Sequence, residues 1–201
     1  MKMLFLIAAF KPPFLLVHND GNSQDTLQAR INGYLQLNGN KYPAQAIHRI
    51  DYETSGLVLF CKHPFFQAYC DKNMEEHHIK KDYIALVQGH TNYKNKKIVS
   101  NIARDRHNAK KMIIHPNGKE SISIFNTLKN YKDYSLIQVT ILTGRKHQIR
   151  VQCASLKHPI LNDSLYGGKR IDNTGLLLQS HHIQFNDIDV ICPQEKRFIR
   201  K

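Results

Sequence analysis

Two short segments of the chain concentrate the groups that could do chemistry. The first is His48-Arg49-Ile50-Asp51-Tyr52-Glu53-Thr54-Ser55-Gly56, followed at once by the apolar run Leu57 to Cys61. A carboxylate in a turn that feeds a rigid strand can be aimed with little freedom. The same residues also suit a plain turn, since Asp51, Thr54 and Ser55 are turn formers. The second segment is Thr143-Gly144-Arg145-Lys146-His147-Gln148-Ile149-Arg150. It places Arg145, Lys146, His147 and Arg150 at the start of a helix expected over 146–156. Cations at a helix N-terminus oppose the macrodipole. A purely structural helix gains nothing by this, so the economical explanation is an anionic partner: RNA phosphate, the Asp51 carboxylate, or both.

Other chemistries find little support. No GxSxG, GxGxxG or GxxxxGK[ST] pattern occurs, and Ser55 near His48 and Asp51 in sequence does not make a triad. Cys61, Cys70, Cys153 and Cys192 form no CxxC pair, and His77-His78 and His181-His182 lack HxxxH or HExxH spacing. Neither a metal nor another cofactor is expected, and the cysteine pattern fits a reducing, cytoplasmic compartment.

The 201 residues are enough for one domain with a core, and no Gly/Ser/Pro-rich linker divides them. The expectation is a single domain over 1–201. Twenty-nine Lys and Arg against 16 Asp and Glu give a net charge of +13, the electrostatic footprint of a nucleic-acid binder. The longest apolar run, Met3 to Phe10, is far shorter than the roughly 20 residues of a membrane span, and Lys11-Pro12-Pro13 after it resembles no signal-cleavage site. It reads as a buried strand, with no membrane partner.

The elements that must position the two segments can be read from periodicity. Leu4–Ile7 and Phe14–Val17 read as strands separated by the Lys11-Pro12-Pro13 turn. A helix follows Ser23, with Leu27, Ile31, Tyr34 and Leu35 on one face and Asn38-Gly39 at its end. Leu57 to Cys61 is a central strand. Pro64 opens a second helix carrying Phe66, Cys70, Met74 and His78 on one face, with a Glu76–Lys80 pair. Tyr83 to Val87 is a strand, and Thr91 to Lys119 an exposed basic excursion. Strands follow at Ile122–Phe125 and Leu136–Leu142, then the helix over 146–156 with Ile149, Cys153 and Leu156 inward. Two short strands close the pattern at Leu176–Leu178 and Ile183–Phe185. Strands outnumber helices and are irregularly spaced, which argues for an α+β fold with a mixed, largely antiparallel sheet flanked by helices and loops.

Taken together, these segments resemble the RluA-type family of RNA pseudouridine synthases. The family's HR[LI]D-x-x-TSG corresponds to His48–Gly56, its K-x-Y-x-A-x-V-x-G to Lys81–Gly89, and its TGR-x-HQIR to Thr143–Arg150. Its HPI-x-x-D-x-x-YG corresponds to His158–Gly167, and a K-P-x-x-hydrophobic opening to Lys11–Leu15. The matches keep the family's order from residue 11 to about 185. Four positions depart from the pattern. Phe14, Lys157 and Asn162 stand where glycines are usual, and Gln152 where His is frequent. The departures bear on the outer pocket and RNA fit, and leave Asp51, Tyr83 and Arg150 in place.

The resemblance implies isomerisation of a uridine in ribosomal or transfer RNA to pseudouridine. The C–N glycosidic bond breaks, the uracil turns, and a C–C bond forms from its C5, with no redox change. It implies Asp51 as the essential carboxylate, attacking base or sugar or removing a sugar proton. It gives Arg150 as the ion-pair partner of Asp51 and Tyr83 as the ring stacked on the detached base. The target must be flipped out of its helix or loop, with Arg49 filling the vacated space. Lys81, Arg145, Lys146 and His147 join Arg49 as candidate RNA contacts. With the first motif at residue 11, no appended N-terminal RNA-binding domain and no obligatory protein partner are expected. The alternative is a catalytically retired RNA-binding or RNA-remodelling protein of the same fold, favoured by the turn departures.

Overall fold

The computed structural model describes residues 5–21, 23–186 and 188–199. They sort into two compact units, Met1–Lys80 with Ser180–Pro193, and Lys81–Gln179 with Gln194–Lys201.

In the first unit, β1 (Leu6–Lys11) runs antiparallel to β3 (Ser55–Cys61), with Leu6 opposite Cys61 and Lys11 opposite Gly56. The two-residue β2 (Gln45–Ala46) also pairs with β3. Every residue of β3 is buried, which is why it reads as a continuous apolar run rather than an alternating one. Helix α1 (Leu27–Leu37) starts where the Thr26 hydroxyl accepts from the Ala29 amide, and ends at Asn38, followed by Gly39 at φ +79°. Its buried residues are Leu27 and Leu35, while Tyr34 faces solvent. A 3-10 turn at Pro64–Phe66 leads into α2 (Gln67–Glu75), which buries Cys70 against Leu6, Leu59, Ile79, Ile183 and Phe185.

In the second unit, β4 (Lys80–Gln88), β8 (Tyr134–Ile141), β7 (Lys119–Asn130), β5 (Lys96–Arg104) and β6 (Met112–Ile114) follow one another antiparallel. Helix α3 (Gln148–Ser155) packs near β5 and β6, where Val151 and Tyr166 cover Ile102. Strand β9 (Leu178–Phe185) holds the last residues of one unit and the returning segment of the other, and β10 (Ile188–Ile191) pairs with it inside the first unit. The fold is α+β with a largely antiparallel sheet, as the strand count indicates.

Several local expectations are corrected. Leu4 lies outside the described residues, and the first strand is Leu6–Lys11. Phe14–Val17 is not a strand. Leu15 and Val17 are buried in a loop that touches Thr26 only through an isolated bridge from Leu16. Helix α2 stops at Glu75, so Glu76 and Lys80 do not share a helix; within reach of its last turn, Lys72 meets Glu76 at 3.8 Å. The expected excursion 91–119 contains β5 and β6. These strands keep a solvent face, so their polarity hides a pattern in which Ile102 is buried on the other face. Near the C-terminus one strand, β9, runs from Leu178 to Phe185 and takes in the expected Ile183–Phe185 but only the last residue of Leu176–Leu178, and α3 begins at Gln148 rather than at 146.

The three departures from glycine are explained by backbone geometry. Phe14, Lys157 and Asn162 all have φ between +62° and +66°, the left-handed region that glycine occupies without strain. Lys157 closes α3: its amide donates to Ala154 and the His158 amide donates to Cys153, the bonding of a Schellman cap. Its side chain is exposed. Asn162 offsets its strain through its amide group, which donates to Asp172 (2.7 Å) and the Gly175 carbonyl (2.8 Å) and accepts from the Ile171 amide (2.9 Å). Lys157→Gly should therefore stabilise the protein by about 1 kcal/mol and raise Tm by roughly 2–4 °C. Asn162→Gly should lower Tm in the same scanning-calorimetry series, because three hydrogen bonds go with the side chain.

Candidate active site

The Asp51 turn is built by neighbours on every side within the first unit. His48 accepts the Leu59 amide on Nε2 at 3.1 Å, and the Ile47 amide donates to the Leu59 carbonyl, which moors the segment before the turn to β3. Ile50 is buried. The Thr54 amide donates to the Asp51 carbonyl at 3.1 Å and closes the turn. Thr54 and Ser55 are buried, so they serve the turn and the start of β3. Gly56 has φ +112°, and a Cβ there would lie 2.1 Å from the Ser180 carbonyl oxygen. Only glycine lets β9 lie that close to the segment that follows Asp51.

Lys11, fully buried, completes the frame. Its ammonium donates to the carbonyls of Pro12 (2.9 Å), Leu15 (2.8 Å) and Tyr52 (3.0 Å). The Phe14 amide donates to the same Tyr52 oxygen at 2.8 Å. The Lys-Pro opening therefore holds the residue next to Asp51. Asp51 itself is half-buried, at the start of this turn. Arg49 is exposed, with Nη1 3.4 Å from His18 Nε2.

In the second unit, Tyr83 is buried in β4 opposite Val139. Lys81, two residues earlier on the same face of the strand, is buried too. Burial pushes its ammonium down to about 8 from the ordinary 10.5. It is thus not an ordinary surface cation.

The segment Thr143–Arg150 divides into anchors and presented groups. Gln148 accepts on Oε1 from the Thr143 hydroxyl and the Arg145 amide, and donates on Nε2 to the Ile122 carbonyl and the Ser123 hydroxyl. Ser123 donates to Gln152, whose Nε2 reaches the Ser100 and Ser121 hydroxyls at 3.1 and 3.3 Å. Gln152 is fully buried, so this departure lies in the interior anchor of α3 and not in an outer pocket. His147 sits in the left-handed region at φ +55°, which keeps Arg145 and Lys146 out of the helix. Arg145 donates from Nε to the Glu120 carbonyl at 2.9 Å, and Lys146 is exposed.

Arg150 is 5% exposed. Its Nε and Nη2 each lie 2.8 Å from a carboxylate oxygen of Asp163, a two-pronged pair that fixes the guanidinium plane. The guanidinium carbon stands 5.1 Å from the centre of the Tyr166 ring. The Tyr166 hydroxyl accepts the Met112 amide and lies 2.8 Å from His147 Nδ1. The HPI-x-x-D-x-x-YG motif contains Asp163 and Tyr166 and assigns neither a role. The signal available in sequence was their fixed spacing after Pro159, which gives no hint of which side chain they hold.

A family profile described as RNA pseudouridylate synthase matches residues 6–155. An uncharacterized RNA pseudouridine synthase of Helicobacter pylori strain J99 is 32% identical over 193 residues, 94% of this chain and 72% of the relative. The chain belongs to the RNA pseudouridylate synthase family. Its relatives include ribosomal large subunit pseudouridine synthase D of Borreliella burgdorferi, 34% identical over 82% of this chain and 51% of that protein, which supports the RluA type. An uncharacterized RNA pseudouridine synthase of Bacillus subtilis is 37% identical over 91% of this chain and 60% of its own length. The chain thus spans about half to three-fifths of these last two relatives. A human structure, RNA Pseudouridylate Synthase Domain Containing 4, shares the fold at TM-score 0.77 and 19% identity, covering 96% of this chain and 87% of that one.

Two outcomes test the second-unit geometry. Asp163→Ala removes the carboxylate that takes both prongs of the buried Arg150 guanidinium and should destabilise the protein by about 3 kcal/mol in urea unfolding. Lys81 supplies a pH signature. Between about pH 8 and 10.5 the unfolded chain holds a proton that the folded chain has released, so stability rises with pH across that window and the burial penalty is complete below it. The rise should reach up to about 3 kcal/mol and vanish in Lys81→Met, measured by denaturant midpoints at successive pH values.

Proposed function

We propose that the protein isomerises specific uridines in ribosomal or transfer RNA to pseudouridine, in the cytoplasm. The observation that supports this most is the Asp51 turn, framed by Lys11, His48 and Gly56 in a chain whose family is that of RNA pseudouridylate synthases. Asp51 acts as the essential carboxylate on a flipped-out nucleotide. Tyr83 receives the detached uracil on its ring, and Arg150, locked in plane by Asp163, is the fixed cation of the reaction. The glycosidic C–N bond breaks, the uracil turns, and its C5 bonds to C1′; the C5 proton leaves and the freed N1 takes one up, so atoms and charge balance without a cofactor.

Charge distribution supports an RNA substrate. The first unit carries 8 Lys and Arg and 9 Asp and Glu, a net −1; the second carries 21 and 7, a net +14. The phosphate-binding surface therefore belongs to the second unit, with Lys146 and the basic β5–β6 hairpin (Arg104, Arg106, Lys110, Lys111) exposed or half-exposed there. The turn departures, which favoured a retired enzyme, keep the left-handed geometry that glycine would adopt.

Asp51→Asn should abolish tritium release from RNA labelled at uridine C5, while RNA affinity stays within about tenfold of the parent. Loss of both together, with the fold intact, would remove Asp51 from the chemistry. Unmodified release by the variant would do the same.

A further inference from the structure

The exposed aromatic rings are distributed as unevenly as the charge. Phe10, Phe14, Tyr34, Tyr42, Tyr52, Phe65 and Tyr69 are exposed, all in the first unit; the described aromatic residues of the second unit are buried or half-buried. Two of these rings belong to the frame of the Asp51 turn. Phe14 is 46% exposed and Tyr52, the residue after Asp51, is 50% exposed. Their rings meet edge to face, with centroids 5.9 Å apart and planes at 69°. The Phe14 amide and the Lys11 ammonium grip the Tyr52 carbonyl, so the backbones of both rings are fixed relative to Asp51.

The fold gains little from this arrangement. A phenylalanine at φ +62° is strained by roughly 1–2 kcal/mol relative to glycine, and a ring left half in water recovers little of that by burial. Strain held where the surrounding hydrogen bonds over-determine it marks a functional position. Exposed rings on a fixed backbone, next to a reacting carboxylate and the exposed Arg49, have the form of a stacking platform for unpaired bases.

We infer that Phe14 and Tyr52 form a nucleobase subsite, stacking an unpaired base of the RNA beside the uridine that Asp51 acts on. The inference rests on the proposed RNA substrate but not on isomerase chemistry. It makes these two rings, rather than a basic patch, the part of the first unit that selects the sequence or looseness of the RNA around the target.

The test uses the full chain and two probes: a fluorescein-labelled octamer of uridylate, and inorganic polyphosphate as a base-free polyanion. Phe14→Gly removes the ring and relieves the strain, so it should fold at least as stably as the parent. It should weaken the octamer about tenfold, equivalent to about 1.4 kcal/mol, and leave polyphosphate binding unchanged. Tyr52→Leu should act in the same direction, and Phe14→Trp should retain the parent affinity. Octamer affinity within twofold of the parent in Phe14→Gly overturns the subsite, as does an equal loss for both probes. Tritium release by the parent protein is scored separately. Its absence defeats the proposed reaction and leaves the stacking result standing, whereas release with unchanged octamer affinity defeats the subsite alone.

Discussion

A fully buried lysine is the constraint on which the Asp51 turn depends. Withdrawing an ammonium from water costs several kcal/mol, and the charge is tolerated only where its donors are met. Lys11 meets the carbonyls of Pro12, Leu15 and Tyr52. Those oxygens come from two stretches of chain about forty residues apart, the loop after β1 and the turn that carries Asp51. Any drift of the turn would leave a buried charge under-solvated, so the loop and the turn hold a single relative position. The Gly56 contact with β9 and the His48 hydrogen bond to β3 act on the same turn from the side of the sheet.

The second unit solves the matching problem for a cation by a different route. Arg150 lies on the first turn of a short helix that buries polar side chains, Gln148 and Gln152, beside apolar ones. Gln148 and Gln152 replace the usual apolar anchors with a closed hydrogen-bond ladder to Thr143, Ser100, Ser121 and Ser123. A network of this kind fixes helix rotation more sharply than packed aliphatic groups, because every buried donor and acceptor must be matched. Asp163 and Tyr166, from the turn beyond the helix, then fix the guanidinium in plane and from its face.

The backbone departures show that a turn geometry outlasts the residue that makes it easy. Phe14, Lys157 and Asn162 hold nearly the same left-handed φ by different means. Asn162 uses its own side chain as a local bonding partner, Lys157 relies on the helix-end hydrogen bonds, and Phe14 is held by its amide bond to Tyr52. The surface chemistry of the chain separates in a comparable way, with positive charge gathered in one unit and exposed rings in the other.

Much of this was legible in the residues. The buried run Leu57–Cys61, the helix ending at Asn38-Gly39, the strand ending at Gly89 and the α+β class all follow from local periodicity and turn chemistry, because those signals act over a few residues. The order of the motifs likewise pointed to the family and to Asp51, Tyr83 and Arg150 as residues of interest. What sequence did not show was decided at long range. Strands β5 and β6 were hidden because edge strands keep a polar face, and Phe14–Val17 was buried without being a strand because burial does not require pairing. Lys81 is a candidate RNA contact by its motif, and no local signal shows that its strand position buries it. Lys11 reaches across to Tyr52, Arg150 to Asp163 in the turn beyond its helix, and Gln152 to Ser100 and Ser121 on neighbouring strands, so only tertiary packing, which fixes where each buried charge and amide finds its acceptor, could assign them.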